Sequence, residues 1–219
     1  VKEDRASMNG DAMPYEIHIT INNPDGIDID IFKQQCNVVG VKPILLSLQD
    51  QKGNQVMSDL MTSSKIYGTN NKAIVEMDRI SDEMSKYGYS VIRKKIEAAF
   101  YHQKAPFKED GDTKMPDGCY FECHFNVACS NDKLVELSNV AKATDCHLSS
   151  NAFKKFEDGS FTIMMTYRSY DMMYEDFEAK LDFIKENLSF RHFKLEKEIV
   201  EFSIYDTKIT HDSKWLNAN

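Results

Sequence analysis

Apolar Tyr15, Ile17, Ile19 and Ile21 alternate with polar Glu16, His18, Thr20 and Asn22. Successive side chains of a strand point to opposite faces, so the alternation predicts a strand with one buried and one polar face. Asn23-Pro24-Asp25-Gly26 ends it, because proline has no amide proton for a ladder and glycine takes turn dihedrals without strain. Ile31, Phe32, Gln35, Cys36 and Val39 follow at helical spacing as far as Gly40, a helix with a glycine stop. Two apolar stretches, 42–49 and 56–64, flank the turn signal Lys52-Gly53-Asn54 and predict a hairpin. A second helix is predicted over 72–87, where Ile74, Met77, Ile80 and Met84 share a stripe before Gly88, and a strand over 89–97.

The pattern then returns. Tyr15-Glu16-Ile17-His18-Ile19 recurs as Phe121-Glu122-Cys123-His124-Phe125. Around and after it the periodicity predicts a strand over 120–127, a helix over 132–143 and a strand over 146–154. The turn Glu157-Asp158-Gly159 leads to a strand over 161–169, a helix over 174–188 and a strand over 193–204. Met61-Thr62 aligns with Met165-Thr166, Gly53 with Gly159, and Ile92-x-Lys94-x-Ile96 with Leu195-x-Lys197-x-Ile199. The order β-α-β-β-α-β, read twice, predicts an α+β protein built by tandem duplication of a ferredoxin-like unit, with antiparallel sheets and helices on one face. The implied organisation is an N-terminal segment 1–14, a first unit 15–100, a linker 101–118, a second unit 119–205 and a C-terminal tail 206–219.

In such a unit the first strand is central, between the third and the last, and its polar face stays clear of the helices. Glu16, His18 and Thr20 are therefore expected beside Thr62 and Ser64 and beside Arg93, Lys95 and Glu97. In the second unit the set is Glu122, His124 and Asn126, then Thr166 and Arg168, then Lys194, Glu196 and Glu198. Imidazoles pass protons near neutrality, hydroxyls donate to phosphoryl oxygens, and arginine grips them through two hydrogen bonds. A cleft between the sheets that holds a small phosphate-bearing ligand follows, although a mixed solvated sheet face looks much the same.

Composition narrows the classes. The 219 residues are 42% apolar, enough for a packed core, and a formal charge of −8 argues against wrapping duplex DNA. The odd set Cys36, Cys119, Cys123, Cys129 and Cys146 suits reduced thiols in a cytoplasm better than a disulfide framework. Cys119, Cys123 and Cys129 surround His124, yet a strand sends Cys123 and His124 to opposite faces, against a zinc site. Glu16, His18, Glu122 and His124 form an alternative divalent-ion set, but the reading taken is metal-free. No apolar run suits a bilayer and the first residues lack a signal-peptide core. P-loop, dinucleotide and Gly-x-Ser-x-Gly fingerprints are absent, so no cofactor is expected. The stretch 206–215 reads as a tail docked by Trp215, from which His211 and Asp212 reach the cleft, and His102 and His192 read as solvated.

His18-Ile19-Thr20 resembles the His-x-Thr motif of the 2H phosphoesterases. Those proteins are two-lobed with one motif per lobe, one histidine serving as general base and the other as general acid on a cyclic phosphate or RNA end. The resemblance implies a phosphate-processing hydrolase in which His18 and His124 are catalytic. It makes His18 and Thr20 one half-site with His124 opposite, and the open-face reading adds Thr62, Ser64, Arg93, Lys95, Glu16, Glu122, Asn126, Thr166 and Arg168 around the ligand. Position 126 is Asn where the motif has Thr or Ser, and His147-Leu148-Ser149 fits the pattern on a different strand. The alternatives are a non-catalytic nucleotide- or anion-binding module and a protein-interaction module whose partner the sequence does not identify.

Overall fold

A computed structural model describes residues 13–22, 27–49, 55–151 and 161–208. The first half runs β1 (Met13–Ile21), α1 (Ile29–Val39), β2 (Lys42–Gln49), β3 (Gln55–Gly68), α2 (Asn70–Lys86) and β4 (Val91–Ala99). The second runs β5 (Tyr120–Cys129), α3 (Leu134–Ala143), β6 (His147–Asn151), β7 (Phe161–Ser169), α4 (Tyr174–Phe190) and β8 (Lys194–Asp206). The order is the one the periodicity predicts. The turns expected at 23–26, 52–54 and 157–159, and His211, Asp212 and Trp215 of the tail, lie outside the described residues.

Local chemistry places the helix ends. Asp28 caps α1 by accepting hydrogen bonds from the amides of Asp30 and Ile31 at 2.9 and 3.1 Å, satisfying two of the donors a helix start leaves open. At the other end Gly40 takes the left-handed region at φ +82°, and the amide of Val41 returns to the Cys36 carbonyl, a turn a side chain would strain.

β1 lies between β3 and β4, and β5 between β7 and β8, all antiparallel. The expected pair of separate sheets is corrected on one point: their edges meet. β2 pairs with β6 through Leu46 and Asn151, and β4 pairs with β8 from Lys95 opposite Asp206 to Ala99 opposite Glu201. The result is a closed eight-stranded barrel in the order β1-β3-β2-β6-β7-β5-β8-β4, which leaves no row of unpaired amides at these edges. The cleft expected between two sheets is therefore the inside of a barrel.

Two apolar cores lie outside this wall, beneath the helices. Ile17, Ile19, Phe32, Met77, Ile80 and Met84 pack in one, and Cys123, Phe125, Leu137, Phe177 and Leu181 in the other. Ile17, Ile19, Cys123 and Phe125 are fully buried, so the polar residues alternating with them point into the barrel, as the sequence predicts. The segment between β4 and β5 is more than a polar connection. Phe107 is buried, the Pro106 carbonyl accepts from Tyr174, and His102, expected to be solvated, is 1% exposed, stacked on Phe202 and 2.9 Å from Asn70 Oδ1. Its ring bridges the two halves, whereas His192 is exposed as expected.

Candidate functional site

Strand register decides what faces inward. His18 stands opposite Ser63 on β3 and Lys95 on β4, and Glu16 stands opposite Lys65 and Glu97. In the second half His124 stands opposite Thr166 and Ile199, and Glu122 opposite Arg168 and Glu201. Each half thus presents Glu-x-His with a hydroxyl on one side and a carboxylate on the other. Thr20 joins opposite Arg93, and Asn126 opposite Lys197.

Three expected placements are corrected. Thr62 and Ser64 pair with Ile19 and Ile17, so they share the helix-facing side, and Ser63 takes the inward position. Only the Thr62 carbonyl reaches His18, accepting from Nδ1 at 3.3 Å. Glu198 pairs with Phe125 and meets Lys185 of α4, again on the helix side. A bulge between the Lys197 and Leu195 pairings puts an extra residue into β8 and shifts its phase. Beyond it the inward residues are Ile199, Glu201 and Ser203, while Lys194 remains inward opposite Ala128 and Glu196 meets Thr162 at the bulge. Sequence reasoning missed Ser63, Glu201, Ser203 and Asp206. The one legible signal was for Asp206, an acid directly after an apolar strand.

The inward groups form a connected network. Glu122 accepts from Lys95 Nζ at 2.5 Å and Arg168 Nη2 at 2.7 Å, and Lys95 also pairs with Glu97. Asp206 binds Arg93 through two bonds of 2.9 and 2.7 Å and accepts from the Tyr120 hydroxyl. Lys95 and Arg168 both lie over the Tyr120 ring. Lys65 lies 3.2 Å from Glu16, which also accepts from Ser63. Every lysine and arginine expected to grip phosphate is thus held by a carboxylate.

Burial and charge set the protonation states. Burial disfavours ionised Glu122, but Arg168 and Lys95 hold it well below the usual carboxylate range. Burial likewise opposes ionised Glu97, yet Lys95 and a hydrogen bond with His18 bring it to about 2. Lys95 stays a cation: burial would discharge it, but Glu122 and Glu97 raise it well above an ordinary lysine. Glu201 has no such cation. Burial first, then Glu97, Glu16 and Glu122 against the lesser pull of Lys95, push its carboxyl up to about 9. Burial lowers His124, outweighing Glu122 and Glu97.

Two imidazoles complete the site. His18 Nε2 lies 3.0 Å from Glu97 Oε2. His124 Nδ1 lies 2.9 Å from Thr166 Oγ1, and its Nε2 is 3.6 Å from Glu201 Oε2. The side chains of Glu16, His18, His124 and Glu201 retain 22, 14, 16 and 15% exposure, so solvent enters the barrel here. Among the described residues the one group of at least three candidate ligand side chains within 4.8 Å of one another is Glu97, Glu122 and His124. Lys95 and Arg168 already neutralise those carboxylates, a poor setting for a divalent ion. The five thiols are buried, and Cys123 faces the helices away from His124. No helix among the described residues is long and apolar enough to cross a membrane.

Neither a protein-family model nor a curated protein matches the chain. Among solved structures, the acetolactate synthase small subunit from Thermotoga maritima is similar over 88% of this chain and 95% of its own, at 10% identity and a TM-score of 0.28. That likeness is too slight to carry over a fold or an activity.

Proposed function

We propose that the barrel interior is an acid–base site for a small molecule, with His18 and His124 exchanging protons with it. The observation that carries this reading is the pair of imidazoles, both on the inward face of a closed barrel and both open to solvent. Each nitrogen of His18 faces an acceptor, the Thr62 carbonyl and the Glu97 carboxylate, which suits the ring to the donor role. His124, lowered by burial, is the acceptor. An eight-stranded barrel is either filled by its side chains or holds one small ligand, and the solvent exposure of both rings favours the second.

We read the two halves as tandem copies of one ferredoxin-like unit. The equal element order and the matched positions of Glu16 and Glu122, His18 and His124, and Ser63 and Thr166 support this. The 2H-like form of the reading, hydrolysis of a cyclic phosphate on a nucleotide or RNA end, is favoured by the hydroxyl opposite each histidine. It requires the phosphoryl group to be held by those hydroxyls or to draw Arg168 or Lys95 away from Glu122.

Turnover of nucleoside 2′,3′-cyclic phosphates and a panel of small esters is the direct test. His18→Ala and His124→Ala should each lower it about 10²–10⁴-fold, the usual contribution of general acid or base catalysis, with the unfolding midpoint kept. Imidazole C2 hydrogen exchange supplies a substrate-free readout, since both rings should exchange in the folded protein. Rings that resist exchange, with no ligand shifting the midpoint, would leave a protein-interaction module.

A further inference from the structure

Inside the barrel five carboxylates face Lys65, Arg93, Lys95 and Arg168, with the exposed Lys194 and Lys197 further along β8. Glu16, Glu97, Glu122 and Asp206 each lie within 3.2 Å of an inward lysine or arginine. Glu201 is the fifth carboxylate; among the described residues no lysine or arginine lies within ion-pair distance of it, and the His124 ring is 3.6 Å away. Two residues along the same inward face, Ser203 is fully buried opposite Glu97 and Tyr120. Its hydroxyl has no hydrogen-bond partner, a cost of about 1–3 kcal/mol for a buried polar group unless something fills the place.

We propose that the barrel interior binds a small organic ammonium, its N–H groups donating to the Glu201 carboxylate and to Ser203 Oγ. This rests on the reading of the interior as a ligand site and names the ligand class. A dianion is disfavoured there, because it would meet Glu16, Glu97 and Glu201 while Lys65, Arg93, Lys95 and Arg168 beside them are already engaged. An ammonium supplies the charge the fifth carboxylate lacks, and Ile199 beside His124 offers an apolar wall for a short carbon chain. The raised carboxyl of Glu201 is what an acid awaiting such a cation shows. From β5 it faces Glu122 and His124, from β4 Lys95 and Glu97, and across the barrel Glu16 and Lys65.

The test is isothermal titration and thermal shift with 1,4-diaminobutane and n-butylamine. The controls are 1,4-butanediol, inorganic phosphate, adenosine 2′,3′-cyclic phosphate and magnesium or manganese chloride. The amines should bind and raise the midpoint while the diol does not. Their apparent affinity should rise up to about tenfold per pH unit from about pH 6 to 8, because the Glu201 proton must leave. Glu201→Gln should weaken amine binding at least about tenfold, while its unliganded midpoint should match the parent's near pH 4.5 and exceed it at higher pH, since glutamine mimics the protonated acid. Amine binding that survives Glu201→Gln, or binding of anions or metal ions in place of amines, overturns the proposal. Amines that fail to bind while histidine variants still abolish turnover would overturn the ammonium alone. Failure of both would remove the acid–base site as well.

Discussion

Glu122 accepts from two buried cations at once, so its removal costs more than its own bonds. Glu122→Ala leaves Lys95 and Arg168, both over the Tyr120 ring, without their shared anion, and should destabilise by about 3–5 kcal/mol in urea unfolding. A loss below about 1 kcal/mol would mean that water or Glu97 takes over. Glu201 behaves in the opposite way. Its folded-state carboxyl near 9 lies above its ordinary value of 4.5, so between those values the native state holds a proton that the unfolded chain releases. Stability from this group is full below about pH 4.5 and falls as pH rises, at most about 1.4 kcal/mol per pH unit. Glu201→Gln should flatten the unfolding midpoint between pH 6 and 9. An unchanged slope would assign the dependence elsewhere.

Elements show how local signals succeed and fail. The helix over 29–39 was legible from its spacing and its stop at Gly40, whereas its cap Asp28 came only with the structure. Asp28→Ala should lose both cap bonds, costing about 0.5–2 kcal/mol. For a protein of this size that is a drop of about 2–4 °C per kcal/mol, and calorimetry showing none would mean another group caps α1. The strands divide by how cleanly they alternate. β1 and β5 carry isoleucine, cysteine or phenylalanine at each core-facing step beside their histidines, and their phase was read correctly. β3 carries the run Leu60-Met61-Thr62-Ser63-Ser64, whose three adjacent hydroxyl residues give no phase of their own. Pairing with β1 sets it, which is why Ser63 and not Thr62 meets the interior.

At the scale of the whole molecule, two seams close the barrel, and they differ in extent. Among the described residues β2 and β6 share three paired positions, and β4 and β8 share five. The β4 seam also carries buried Ile96, Ala98 and Phe202 and the Arg93–Asp206 pair. Local opening follows the weaker contacts, so amides at 46–48 should exchange with solvent faster than those at 96–99. Equal protection in hydrogen-exchange mass spectrometry would show that the barrel opens as one unit.

By itself the sequence determined the order of elements, the antiparallel α+β class and the inward direction of Glu16, His18, Glu122, His124, Thr166 and Arg168. These follow from alternation and helical periodicity, which are properties of neighbouring residues. Edge joining, the two bulges of β8 and the pairing of each inward cation were decided only by the tertiary structure. A bulge adds one residue and reverses every side chain beyond it, so Glu201, distant from any motif, arrives beside His124 while Glu198 turns to the helices. Whether a lysine faces a ligand or a carboxylate depends on strands more than a hundred residues apart, such as Arg93 and Asp206, and no local pattern records that distance.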